Sequence, residues 1–211
     1  GTAAAYEALV TASRSTDEQL KEHVIGEIGR FGAEETVDLV VDELDAETNE
    51  ELRTEAAEGV ITTFTESDFE EGDAVRQRAI EKIAEDVSID VSAEFASIVD
   101  DSPYESERRN AAWLLGQLES SSEDAASCLV DALQADDAYL RQIAAASLTQ
   151  LETAEVESEI ESVLETADED TEVHALASFV QSALQNTAAG EKELVEYTHV
   201  VEPSDYETAN E

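Results

Sequence analysis

Hydrophobic residues recur along the chain in a fixed arrangement: an apolar residue, a cation, two variable positions and a small apolar pair. This motif begins at Leu20-Lys21, Leu52-Arg53, Val75-Arg76 and Leu140-Arg141. A copy at Arg108 lacks the leading apolar residue, and the copy at Val173-His174 is the weakest. From Lys21 to His174 the cation positions are separated by 32, 23, 32, 33 and 33 residues. This spacing predicts stacked repeats of one supersecondary unit.

The stretches between the motifs carry a second apolar stripe with helical spacing. Val37, Val40, Val41 and Leu44 fall at i, i+3, i+4 and i+7, and the stretches from 126 and from 156 share the pattern. Each repeat is therefore predicted to be a helical hairpin that buries its apolar seam only by stacking. The opening stretch, residues 5–12, predicts either the second helix of an incomplete unit or a cap. No strand pattern precedes residue 190.

Capping signals predict where helices begin. Capping boxes are expected at Thr16, Thr48 and Ser120, each followed three residues later by Gln or Glu. Ser102-Pro103-Tyr104-Glu105 combines an N-cap serine with proline at the first helical position.

The 23-residue step between Arg53 and Arg76 interrupts the period and allows two interpretations. In the first, the second helix of that unit shrinks to one turn near Ser67 and the motif at Val75 opens a new unit. In the second, a helix from about Asp73 to Asp86 is itself the second helix, and the next unit is irregular. The close match of Val75-Arg76 to the motif favours the first.

The repeat pattern ends near residue 186. The sequence predicts a repeat domain over 1–186 and a C-terminal segment over 187–211, rich in β-branched and aromatic residues around Tyr197. This segment is expected to pack on the last repeat as an extended clasp, or else to be a peptide that another protein binds by strand addition.

Composition changes the picture of the surface. The chain has 53 acidic and 11 basic residues, a formal charge of -42, and yet 42% hydrophobic residues, which indicates a folded protein. Three lysines and no methionine complete a composition that resembles proteins of extreme halophiles. Molar salt shortens the Debye length to about 3 Å and screens such self-repulsion. The alternative is that the acidic surface attracts a basic partner.

The motif cations, the small pairs and the Asp-rich turns between units together resemble HEAT repeats, and more narrowly the short HEAT-like repeats of the phycobilin-lyase type. The resemblance implies an all-α fold, a right-handed α-solenoid (superhelix) of about five to six helical hairpins. It also implies that the motif cation pairs with an aspartate between repeats. The implied pairs are Asp17 with Lys21, Asp73 with Arg76, and Asp137 with Arg141 or its neighbour.

Most of the chemistry-bearing residues have a structural interpretation. Lys21, Arg53, Arg76, Arg108 and Arg141 recur at one motif position, which indicates an architectural role. Cys128 lies on an apolar stripe and is predicted to be a buried thiol. His23, His174 and His199 are widely spaced and lack the His-Glu dipeptides of the di-iron HEAT-repeat hydroxylase. We therefore expect no catalytic residues, no cofactor and no metal site.

The remaining candidates are residues that are predicted to contact a partner. Trp113-Leu114 occupies a column that is small or polar in the other repeats, so it is expected either to contact a partner or to fill a gap beside the irregular unit. Arg78 and Lys82 share a helix face and are expected to receive an acidic partner, and Tyr197 and Tyr206 lie in the C-terminal segment.

The sequence favours a non-enzymatic adaptor that binds another protein in a halophile's cytoplasm, without nucleic acid or membrane as partner. The alternative is an enzyme or carrier with a small molecule on the concave face, as in the bilin lyases. A deep apolar pocket would favour that alternative, and a broad shallow face would favour the adaptor.

Overall fold

The computed structural model describes residues 3–15, 17–46, 48–67, 72–118, 122–151 and 154–188. Its secondary structure over these residues is entirely helical, which confirms the predicted all-α class. Eleven α-helices lie within these ranges: α1 (Ala3–Ser13), α2 (Glu18–Ile28), α3 (Glu34–Leu44), α4 (Glu50–Glu66), α5 (Gly72–Asp86), α6 (Ser92–Asp101), α7 (Glu105–Gln117), α8 (Glu123–Ala132), α9 (Ala138–Leu148), α10 (Ala154–Thr166) and α11 (Glu172–Ala188).

The chain divides into two compact units, residues 1–95 and 96–211, with the division inside α6. In the first unit, α2 packs on α4, α3 packs on α5, and α3 and α4 pack on each other. First helices thus contact first helices, and second helices contact second helices. The apolar stripe of α3 is buried by this stacking, with Val37, Val40, Val41 and Leu44 each at most 1% exposed.

The second unit repeats this arrangement. The first helices α7, α9 and α11 pack in succession, and the second helices α8 and α10 pack beside them. Each hairpin therefore completes its core with its neighbour, as the periodicity predicts. The chain is of the α-solenoid class. Helix α11 ends at Ala188, two residues beyond the boundary predicted at 186.

The irregular step corresponds to the interpretation that the sequence disfavoured. Helix α5 packs on α3 and α4 and is therefore the second helix of the hairpin that α4 opens. In the second unit, the Cys128 thiol of α8 lies 3.6 Å from the Ala96 carbonyl oxygen, which places α6 beside a second helix as well. The expected new unit at Val75 is wrong, because the apolar spacing of the motif suits any helix with one buried face.

Helix starts differ from the predicted capping boxes. Asn49, not Thr48, caps α4 by accepting from the Leu52 amide at 3.0 Å. Asp17 caps α2, although the predicted cap Thr16 lies outside the described residues, as does Ser120. Carboxylate and amide side chains compete well with hydroxyls as N-caps, so a neighbouring Asn or Asp takes the position.

At the start of α7 the predicted cap is shifted by two residues. The helix begins at Glu105 after Tyr104, so Pro103 precedes it. The Ser102 hydroxyl donates to Glu107 at 2.6 Å and accepts from the Tyr104 amide at 3.2 Å. Ser102 therefore still fixes the segment that leads into α7, although it lies three residues before the first helical residue.

Small residues allow the first helices of neighbouring repeats to approach closely. A Cβ built on Gly29 would lie 2.4 Å from the Gly59 carbonyl oxygen of α4, and one on Gly116 would lie 2.6 Å from the Ser147 Cβ of α9. The Ser147 hydroxyl also donates to the Ala112 carbonyl at 2.8 Å. These glycines and Ser147 lie six or eight positions after the motif cation, beyond the small pair of the motif, and they allow the close spacing between repeats.

Candidate functional site

The face formed by α3 and α5 holds a ladder of ion pairs. Arg78 on α5 binds both carboxylate oxygens of Asp38 on α3, at 2.9 and 3.0 Å. One turn further along both helices, the Lys82 ammonium lies 2.7 Å from Asp42 and 2.5 Å from Asp86. The i,i+4 spacing of the cations matches that of the aspartates, so the two helices are joined at two successive turns.

This ladder changes the interpretation of Arg78 and Lys82 as a site for an acidic partner. Hydrogen bonds to Asp38 raise the pKa of Arg78. Burial by itself lowers the pKa of Lys82, but the hydrogen bonds to Asp42 and Asp86 outweigh it and raise that pKa. Both cations are already neutralised by carboxylates of the same unit. Sequence reasoning found the shared helix face but not its partners, because Asp38 and Asp42 lie about forty residues away.

Trp113 and Leu114 lie in the interior of the protein. Trp113 is 6% exposed and Leu114 is fully buried, so the alternative in which they contact a partner is wrong, and the burial agrees with the alternative in which Trp113 fills a space between helices. All residues of α7 from Asn110 to Gly116 are buried, so the second half of this helix is covered around its whole circumference. A position that is small or polar in the other repeats is therefore core here.

Three of the five motif cations reach back to the end of the preceding helix. Arg53 donates to the Ala46 carbonyl at 2.9 Å, Arg108 to the Val99 carbonyl at 2.8 Å, and Arg141 to the Ala135 carbonyl at 2.8 Å. Val99 lies in the last turn of α6, whereas Ala46 and Ala135 lie two and three residues after the ends of α3 and α8. The recurring cation therefore binds a backbone carbonyl at or just after the end of the preceding helix.

Three motif cations also bind acids elsewhere in their own unit. Lys21 pairs with Glu43 at 2.6 Å, Arg53 pairs with Glu94 at 2.7 Å, and Arg141 pairs with Glu172. These contacts match the architectural role predicted from the spacing.

The aspartate pairings implied by the family resemblance hold in one case of three. Arg76 binds Asp73 at 2.7 Å, which confirms that pair. Asp17 instead caps α2 through the Leu20 amide at 3.3 Å. The Asp137 carboxylate pairs with Arg109 of the preceding repeat and not with Arg141.

Arg109, Asp137 and Tyr139 form a lock between α7 and α9. Arg109 donates to both oxygens of Asp137, at 2.7 and 2.9 Å, and its guanidinium lies 4.9 Å from the centre of the Tyr139 ring. The Asp137 side chain is 7% exposed and also accepts from the Tyr139 amide at 3.0 Å. Burial raises the pKa of Asp137, but its hydrogen bonds to Arg109 prevail and hold it below the usual value.

The single cysteine is a buried free thiol, as predicted. Burial, together with the charge of Asp100, raises the pKa of Cys128 to about 12. A thiol with so high a pKa is protonated at neutral pH, and the thiolate is the nucleophilic form. Cys128 therefore belongs to the core.

A groove lies between α10 and α11. It is lined by Ile160 and Leu184 and by the polar residues Glu157, Glu161, Gln181 and Gln185.

In the part of the chain that the structure describes, no group of three or more His, Cys, Asp or Glu residues is placed to hold a metal ion. None of the helices formed by these residues combines the length and apolar character that crossing a bilayer requires.

Two exposed apolar side chains escaped sequence reasoning. Tyr104 before α7 is 62% exposed, and Leu20 on α2 is 44% exposed. Leu20 leads the first motif, where the pattern predicts a buried residue, and Tyr104 falls inside a predicted capping sequence. The other predicted contact residues, Tyr197 and Tyr206, lie outside the described residues.

In each unit the hairpins stack on one another, and most cations are paired with acidic side chains or carbonyl oxygens of that unit. These features define the class: an acidic, all-helical repeat protein of the α-solenoid kind. No protein-family profile matches the chain. No curated protein matches it either.

Solved structures similar to the chain include engineered and designed proteins. One, described as an engineered protein, is 18% identical with a TM-score of 0.42, over 88% of this chain and 85% of its own. Another, a designed armadillo repeat protein in complex with the peptide (KR)4, is 18% identical with a TM-score of 0.39, over 83% and 80%. At these scores the similarity carries no argument about function, which rests on this chain's own residues.

Proposed function

We propose that the chain is a non-enzymatic scaffold that binds another protein along the outer faces of its repeats. The observation that carries the proposal is that nine cations of the chain are paired within the chain itself. The cations at positions 21, 30, 53, 76, 78, 82, 108, 109 and 141 each contact a carboxylate or a carbonyl oxygen of the same chain. Residues of this kind serve the fold.

The surroundings of the groove between α10 and α11 also favour a scaffold over a carrier. Four of its six lining residues are polar, and two of these are glutamates. Pockets that enclose small ligands are mostly apolar with a few convergent polar groups. A groove lined mainly by polar side chains supports contact with a macromolecule better than retention of a pigment or a metabolite.

The charge supports a salt-rich working environment. A surface with 53 acidic residues against 11 basic ones repels itself unless salt screens it. We therefore propose that the scaffold works in the cytoplasm of a halophile. From the motif, we propose that its repeats are of the phycobilin-lyase type. The same screening weakens long-range attraction to a basic partner, so short-range contacts would select the partner.

Affinity capture tests this function. The tagged chain is incubated with lysate from a halophilic archaeon in about 2 M KCl, where the Debye length is shorter than a contact distance, and captured proteins are identified by mass spectrometry. An unrelated acidic protein of similar net charge is the matched control. The proposal expects a stoichiometric protein partner that the control lacks. Identical captured sets, or a small molecule released from the purified chain on denaturation, would contradict it.

A further inference from the structure

The first helices of the second unit carry very few acidic residues. Three stretches that include most of α7, α9 and α11 contain no Asp or Glu: residues 108–118, 138–151 and 173–188. By contrast, the first helix α4 of the other unit carries five glutamates, and the second helices α8 and α10 are acidic as well. The lack of acid is therefore specific to one row of helices in the second unit.

On α9 and α11 these acid-free stretches reach the surface at matching positions. The side chains concerned lie at i, i+4 and i+7 on each helix, and the two sets are one repeat of 33 residues apart. Ala175 and Ser182 are exposed, and the others are partly exposed. We call these six residues the uncharged face: Gln142, Ala146 and Thr149 on α9, and Ala175, Phe179 and Ser182 on α11.

The uncharged face lies along the side of the row of first helices. Helix α9 packs on α7 at one flank and on α11 at the other, so its outer side faces away from both repeat interfaces. The residues of α11 in the face repeat the positions of those of α9. A further repeat after α11 would therefore leave them as accessible as α11 leaves Gln142 and Thr149.

Charged groups of α9 and α11 border the uncharged face at the helix starts and are paired there. Arg109 binds Asp137 at 2.7 Å, and Arg141 binds Glu172. The other titratable groups that are near in sequence share these borders or follow the helix ends: Glu105, His174, Glu152 and Glu191. A segment that covers the middle of the face would bury no carboxylate, and burying an unpaired carboxylate is costly.

The C-terminal segment of the chain has the composition to cover this face. Residues 190–201 directly follow α11 and lie outside the described residues. Their sequence places Val195, Tyr197 and Val201 at alternate positions, which share one side of an extended segment. Residues 189–211 include seven acids and one lysine, so an acidic surface would repel them.

The length of the segment also fits the face. Helix α11 has 17 residues and is about 25 Å long, whereas twelve extended residues span about 40 Å. Gly190, two residues after the helix end, permits a reversal of the chain. An extended run from 191 to 195 then covers about 13 Å, or about nine helical residues, which brings Val195 from Ala188 back to Phe179.

We propose that residues 190–201 bind across the uncharged face of their own chain as an extended clasp. Val195 packs on Phe179, and Tyr197 packs further towards the start of α11. The short covalent connection gives the segment an effective concentration on the order of millimolar at this face, which a competing peptide must exceed. This intramolecular contact does not depend on the proposed scaffold function.

Hydrogen exchange followed by mass spectrometry tests the proposal on the full chain in about 2 M KCl. Amides of residues 191–201 are expected to exchange at least about tenfold more slowly than those of an unstructured segment. Ser182→Glu places a carboxylate on the uncharged face and is expected to remove most of this protection. Ser127→Glu is the matched control, because it makes the same change at an exposed serine of α8 in the same unit, and it should leave the exchange unchanged.

A second variant and a mass measurement exclude other occupants of the face. Phe179→Ala removes the largest apolar side chain of the face and is expected to act as Ser182→Glu does, and circular dichroism verifies that each variant keeps its helical content. The chain should sediment at 22.8 kDa throughout. Exchange at the unstructured rate in the unmodified chain would overturn the proposal, as would protection that survives both variants. Protection that appears only as the mass doubles would assign the face to a second copy and overturn it as well.

Discussion

Removing the carboxylate of Asp137 should destabilise the second unit more than the loss of a helix cap explains. Asp137→Ala removes the cap of α9, which costs about 1 kcal/mol. It also leaves the Arg109 guanidinium, only 18% exposed, without its bidentate partner. Breaking a mostly buried pair from one side costs several kcal/mol when burial is complete. Because Arg109 keeps Glu105 at 2.8 Å, we expect a total of about 3 kcal/mol.

Asp17→Ala is the matched control, because Asp17 caps α2 through one amide and has an exposed side chain. Its loss should cost about 1 kcal/mol. Urea titrations in molar KCl, followed by circular dichroism, measure both costs, and the fluorescence of Trp113 reports on the unit that contains Asp137. A double-mutant cycle with Arg109→Ala should give a coupling energy of about 2 kcal/mol. An Asp137→Ala cost equal to that of Asp17→Ala would refute the lock.

The same pair predicts a pH dependence. The native pKa of Asp137 is held below its usual value, so the unfolded chain binds a proton at higher pH than the folded chain does. The stability that the pair contributes is complete above the usual carboxyl pKa of about 3.9 and is lost as the pH falls from there through the lower native pKa. Titrations of Asp137→Asn between pH 6 and about 3 should therefore show a flatter decline than wild type.

Three further outcomes follow from other parts of the structure. Gly29→Ala should destabilise the first unit by at least about 2 kcal/mol in urea titration, because its Cβ would overlap the Gly59 carbonyl of α4, and an unchanged midpoint would contradict that close approach. Burial and then neighbouring glutamates raise the pKa of Glu55 in the folded chain. Glu55→Gln should therefore stabilise the first unit by about 0.5 kcal/mol at pH 7 and reduce its loss of stability as the pH rises through that pKa. A destabilised variant would exclude this. Cys128 should react with thiol reagents at pH 8 only as fast as the protein opens, so second-order labelling of the native state would count against its raised pKa.

Local pattern alone determined the class of this protein. The helical spacing of apolar residues and the recurring motif predict stacked hairpins, and each unit stacks its first helices and second helices in the predicted way. These features depend on residues within a few turns of one another, where helical geometry decides which side chains share a face. The burial of Cys128 is a local inference of the same kind, whereas the pair of Asp73 with Arg76 is what the family resemblance implied.

Tertiary packing decided the environment of the residues for which the sequence prediction was wrong. The motif at Val75 suits any helix with one buried face, and only its contacts with α3 and α4 show that α5 is a second helix. Trp113 is core because the second half of α7 is covered on every side, and Arg78 and Lys82 are bound by aspartates about forty residues away. Leu20 is exposed although the motif predicts a buried residue. Periodicity specifies which face of a helix is apolar, whereas the neighbour that covers that face is set by long-range contacts that no single stretch of sequence contains.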